Sequence, residues 1–152
     1  MRTADENREL SRMFVEEVLN RRNLKHAEEM LTDDFVEHNP LAPEMGTDKA
    51  AAIATFQAIL DAAPDMKVEI IDLITTPDRV AIRATYSGTD SGIGFGAPMG
   101  APATGKSFSV EGIDVAIVTE DGRFSEHYGL FDVPTMMQQL GLMPAPEGSP
   151  PV

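Results

Sequence analysis

The stretch KSFSVEGIDVAIVTEDGRFSEHYGLFD, residues 106–132, decides the fold. Lys106 to Val118 and Arg123 to Asp132 are two long β-prone runs, and Asp121-Gly122 between them signals a two-residue hairpin loop. Side chains alternate along a strand, so Phe124, Glu126, Tyr128, Leu130 and Asp132 share one face. Ser125, His127, Gly129 and Phe131 share the other. With Glu120 paired to Arg123, Ile117 meets Glu126, Val115 meets Tyr128, Ile113 meets Leu130 and Glu111 meets Asp132. The first face is the more apolar, and we expect it to be concave. His127 then falls on the outer face with Arg83 and Asp114.

Upstream, the apolar period is again two. Met66, Val68 and Ile70 alternate with Lys67 and Glu69, after which Ile71 and Leu73 take the apolar role. Such a phase slip predicts a β-bulge, which bends a sheet. A second slip is expected between Val110 and Ile113. Thr76-Pro77-Asp78 makes a turn, and Val80, Ile82, Ala84 and Tyr86 form an inward row. Residues 87–105, rich in glycine with Pro98 and Pro102, read as a flexible loop and a possible lid.

The first part of the chain is helical. Leu10, Met13, Phe14 and Val18 recur at helical spacing within Thr3 to Arg22, and Thr3 with Glu6 fits a capping box. A shorter helix follows Asn23. A third starts at Thr47 as N-cap, buries Ile53, Phe56 and Leu60, and stops at Pro64. Phe35 to Pro40 runs extended, since the residue before proline avoids the α region. Helices followed by a run of antiparallel strands give an α+β fold: a curved sheet with helices on its concave face, enclosing a cone-shaped cavity. One domain is expected over 1–142, with a last helix at Thr135 to Leu140 and a flexible tail at 143–152.

Composition narrows the function. The chain has 152 residues, no cysteine and a net charge of −13. That charge disfavours nucleic acid and anionic membranes, and favours a small neutral or apolar ligand. The start has no basic cluster followed by an apolar stretch, so no signal peptide is expected and a cytoplasmic location is the default. No His pair has zinc-type spacing, and the Gly92 to Ala97 stretch lacks the helix that a dinucleotide fingerprint needs. We therefore expect neither a metal nor a cofactor.

Asp132, in an apolar setting near Glu111, would have a raised pKa and suit general acid or base work. Capping the helix after Val133 is an equally ordinary role for it. His38 could line the pocket mouth and polarise a carbonyl, or bond backbone in a turn. Phe124, Glu126, Tyr128, Glu111, Tyr86 and Phe56 complete the expected substrate-binding set.

These residues fall in segments that resemble the SnoaL-like polyketide cyclases, or ester cyclases, of the nuclear-transport-factor-like cone superfamily. The segments are Val18–Arg21, Leu31–His38, Ala63–Asp65, Asp78–Arg83, Pro102–Lys106, Gly112–Asp114 and Gly122–Asp132. The resemblance implies a helix-capped curved sheet around a cavity and a cofactor-free intramolecular aldol ring closure. It also implies that Asp132 matches the family's acid/base aspartate at the end of the Glu-His-Trp-type strand. Here Tyr128 replaces the usual Trp, and the loop Gly88 to Gly100 is longer than usual. The alternatives are an epoxide-hydrolase-like addition of water, or a non-catalytic ligand-binding or dimerisation module. Apolar residues on the outer sheet face, Ala81, Ala116 and Phe131, point to a homodimer or higher homo-oligomer.

Overall fold

A computed structural model describes residues 1–144 and 147–148, so most of the expected tail lies outside the described residues. The first helix, α1 (Ala4–Met13), starts as its sequence dictates. The Thr3 hydroxyl accepts the Glu6 N–H at 3.2 Å, and the Glu6 carboxylate accepts the Thr3 N–H at 2.7 Å. It continues into a wider π-helical stretch, Phe14–Asn20. Then come α2 (Leu24–Met30), β1 (Leu31–Glu37) and α3 (Lys49–Ala62). Asp48, not Thr47, caps α3: its carboxylate accepts the Ala51 N–H at 2.8 Å. The Thr47 carbonyl is engaged elsewhere, by the Glu37 N–H at 2.7 Å. The remaining elements are β2 (Lys67–Thr75), β3 (Arg79–Thr89), β4 (Ser107–Val118), β5 (Phe124–Phe131) and α4 (Val133–Gln139). Among the described residues no helix is long and apolar enough to cross a membrane.

The strands form one open, curved sheet in the order β1-β5-β4-β3-β2. Its pairs are antiparallel except β1 with β5, which is parallel. The helices cover the concave face. Leu10, Val18, Leu60, Val80, Ala84, Phe108, Val110 and Leu140 form the centre of the core there. Phe14 stands edge-on to Phe56 at 5.8 Å and to Phe124 at 5.4 Å. Each such pair adds about 1 kcal/mol beyond the area it buries.

Two irregularities set which side chains face in. The slip expected in β2 is present: Ile70 pairs with Ala84 and Asp72 with Arg83, leaving Ile71 as the extra residue. The slip expected in β4 is absent. β3 and β4 pair without a break from Arg79 with Ile117 to Thr89 with Ser107. Phe108, Val110, Gly112, Asp114, Ala116 and Val118 therefore all face in, and the apolar row Ile113, Val115, Ile117 faces out.

The hairpin also differs from its expected form. Gly122 donates its N–H to the Thr119 carbonyl at 3.0 Å, and Thr119 donates to the Arg123 carbonyl at 2.9 Å. Gly122 has φ +79, the left-handed region that glycine enters without strain. Val118 thus pairs with Phe124, and Ser125 is an extra residue before Ile117 meets Glu126. This bulge turns both Phe124 and His127 inward. The pairs Ile117–Glu126, Val115–Tyr128 and Ile113–Leu130 are as expected, but they lie on the convex face. Ala116 and Phe131, expected outside, are on the concave side.

The glycine-rich loop after β3 is fastened rather than free. Asp90 is fully buried and accepts the N–H groups of Phe95 and Thr104, each at 2.8 Å, and the Thr104 hydroxyl at 2.9 Å. Burial alone would raise its pKa, but these bonds outweigh it and hold the carboxyl below its usual value. Gly92 packs so closely under α3 that a Cβ there would meet the Asp61 carbonyl. Both sheet edges are also occupied. Asn20 accepts the Val68 N–H at 2.8 Å and donates to the Val68 carbonyl at 3.1 Å on β2. On β1, Lys49 Nζ donates to the Leu31 carbonyl at 3.1 Å.

Candidate functional site

A polar network crosses four strands of the concave face. Tyr86 on β3 donates its hydroxyl to Asp114 Oδ2 at 2.6 Å. Asp114 Oδ1 on β4 lies 2.9 Å from His127 Nε2 on β5. His127 Nδ1 lies 2.6 Å from Glu37 Oε2 on β1. Two glycines make room for these contacts. A Cβ at Gly129 would sit 2.6 Å from the His127 ring and 3.1 Å from Asp114 Oδ1. One at Gly112 would sit 2.9 Å from the Tyr86 ring.

The bonding favours one protonation state. Carboxylates only accept, so an imidazole with a carboxylate on each nitrogen donates from both and is a cation. Burial would lower the His127 pKa, but the bonds and charges of Asp114 and Glu37 outweigh it and raise it to about 9. Burial and the Asp114 charge push the Tyr86 hydroxyl well above its ordinary pKa, so it stays a neutral donor. The network is then two carboxylates, one imidazolium and one phenol. Asp114 keeps spare lone pairs in a shielded site, the chemistry of a general base.

The sequence candidates divide between the two faces. Tyr86, Phe124 and Phe56 lie on the concave side, with Tyr86 and Phe124 buried. His38, Glu126 and Tyr128 come together, but on the convex face and exposed to solvent. His38 stacks on Tyr128 at 4.1 Å, and its Nε2 lies 2.8 Å from Glu126 Oε2. The bond from His38, then that from Tyr128, hold Glu126 below its ordinary pKa. Glu111 also faces out, 3.1 Å from Arg83. Asp132 is exposed, apart from this group, and caps α4 by accepting the Thr135 N–H at 3.1 Å. The Ser125 bulge and the unbroken β4 register are the physical reasons for these corrections.

Sequence reasoning put His127 and Asp114 outside and gave Glu37 no role. One signal in the sequence could have found them: Gly112-Ile113-Asp114 and His127-Tyr128-Gly129 each set a residue without a side chain beside a titratable one on the same face. Two grooves open elsewhere, one of about 270 Å³ between the π-helical stretch and β2, and one of about 510 Å³ along α1. Neither includes a network residue, so bonding rather than groove volume marks the site.

The model of the SnoaL-like polyketide cyclase family matches residues 9–140, and the chain belongs to that family. Among solved structures it is similar to IdmH of Streptomyces antibioticus, a candidate polyketide cyclase. The two share 30% identity with a TM-score of 0.74, over 89% of this chain and 98% of that one. TsrD from Streptomyces laurentii, at 24% identity, superposes with a TM-score of 0.76 over 91% of this chain and 97% of its own. AclR from Streptomyces galilaeus, a candidate hydroxylase, also at 24%, gives 0.78 over 95% and 87%. The last two likenesses concern the fold alone. No curated protein matches the chain.

Proposed function

We propose that this protein is an acid/base enzyme acting on a small apolar or aromatic molecule, closing a ring by an intramolecular aldol reaction without a cofactor. The observation that carries this is the Tyr86–Asp114–His127–Glu37 network on the concave face. Asp114 takes a proton from the carbon next to a substrate carbonyl. The resulting carbanion attacks a second carbonyl of the same molecule, the new C–C bond forms, and Asp114 returns the proton to the new alkoxide. Substrate and product are isomers, so no co-reactant is needed. His127 and Tyr86, both bonded to Asp114, hold its carboxylate in place between turnovers. Phe131, with its ring 4.2 Å from that of Tyr86, supplies an apolar surface beside the network. Family membership and the likeness to IdmH support the reaction class.

Asp114→Asn removes the base while keeping the shape. We expect substrate binding within a few-fold of wild type and turnover lower by about 10²-fold or more. Turnover unchanged in this variant would remove Asp114 from the mechanism.

We also propose that the convex face pairs with a second copy of the chain. Ile74, Ile113 and Leu130 on that face are 68%, 52% and 70% exposed, with Ile113 and Leu130 paired across β4 and β5. Sedimentation equilibrium is expected to give a dimer at micromolar concentration and a monomer for Leu130→Glu. A monomeric wild-type chain would overturn the pairing.

A further inference from the structure

We propose that Glu37 is a positioning residue: brought by β1 to Nδ1 of His127, its carboxylate keeps that ring doubly protonated and aimed at Asp114. The proposal rests on Asp114 being the proton-handling group. Asp114 alone needs only one proton on the ring, at Nε2, because a neutral tautomer satisfies it. Glu37, 2.6 Å from Nδ1, demands the second.

The local backbone is built to hold that carboxylate still. Its other oxygen, Oε1, accepts the Asn39 N–H at 2.9 Å. The Glu37 N–H donates to the Thr47 carbonyl at 2.7 Å, and the His38 N–H donates to the His127 carbonyl at 2.9 Å. Asn39 precedes Pro40, which keeps it out of the α region and limits the turn. Glu37 is only 15% exposed at its side chain.

The groups facing His127 are Glu37 from β1 and Asp114 from β4, with the Tyr86 hydroxyl from β3 acting through Asp114. Among the described residues no helix side chain hydrogen-bonds the ring. His38 and Glu126, its neighbours in sequence and across the strand pair, lie on the opposite face.

The test is nitrogen-15 NMR of His127 in the full chain, which reads protonation and not turnover. Failure of the aldol proposal would therefore leave this result standing, and the reverse. At neutral pH both wild-type ring nitrogens are expected to be protonated. In Glu37→Gln the midpoint is expected to fall from about 9 by about 1 unit or more, and Glu37→Asp to recover part of the shift. A neutral ring in the wild type at neutral pH overturns the proposal. So does an unchanged midpoint in a folded Glu37→Gln variant. If that variant does not fold, the wild-type measurement decides.

Discussion

Strand β5 carries a histidine, carboxylate and tyrosine cluster on each of its faces. His127 lies inside with Asp114, Glu37 and Tyr86, while Glu126 lies outside with His38 and Tyr128. The residue types and distances are nearly the same. What separates the two is water. The inner carboxylates are each 15% exposed against 39% for Glu126, while the rings differ less, at 28% for His127 and 35% for His38. A shielded charge keeps its partners, while an exposed one shares them with solvent. Residue composition alone therefore does not tell a reactive cluster from a solvated one.

The largest test of this contrast is truncation of each histidine. His127→Ala leaves two carboxylates facing each other without their cation, and is expected to lower stability by about 3 kcal/mol in urea unfolding. His38→Ala is expected to change it far less. Equal losses would mean that the two faces do not differ as argued.

A second effect, of no greater size, is the pH dependence. The folded pKa of His127, about 9, lies above its ordinary value of 6.5. The stability this supplies is fully present below about pH 6.5 and is lost as pH rises through about 9. Unfolding free energy is expected to fall over that window by on the order of 3 kcal/mol. His127→Ala should flatten the fall, and a slope that survives the substitution would assign it to other groups.

The smallest effect expected is that of Asp132→Ala. Loss of the α4 cap should lower stability by about 1 kcal/mol. Turnover is expected to be retained, and its loss would return the catalytic role to Asp132.

Much of the fold was legible in the sequence because its signals are local. Thr3 with Glu6 marks a helix start, the slip at Ile71 marks a bulge, and Val80 to Tyr86 marks a buried row. Cross-strand partners such as Val115 with Tyr128 agree with expectation as well, because the extra residue Ser125 offsets the longer turn. The choice of face was not legible. The rule that apolar rows face inward fails here, because the outer row of Ile113, Val115 and Ile117 is as apolar as the inner one, which carries Asp114 and two positions for glycine or alanine. Chemistry needs polar groups inside, and the convex face keeps apolar ones outside. A single inserted residue, Ser125, then puts Phe124 on the face opposite to Glu126, Tyr128 and Leu130.

The two edge strands carry a further consequence. An open sheet ends in unpaired peptide groups that invite any other extended chain to add itself, the first step towards fibrils. On β2 the Asn20 amide stands in for part of a missing neighbour by bonding both backbone groups of Val68. On β1, Thr47 and Lys49 occupy the Glu37 N–H and the Leu31 carbonyl. These three residues act as guards of solubility. They leave fewer free peptide groups along the rim for another extended chain to pair with.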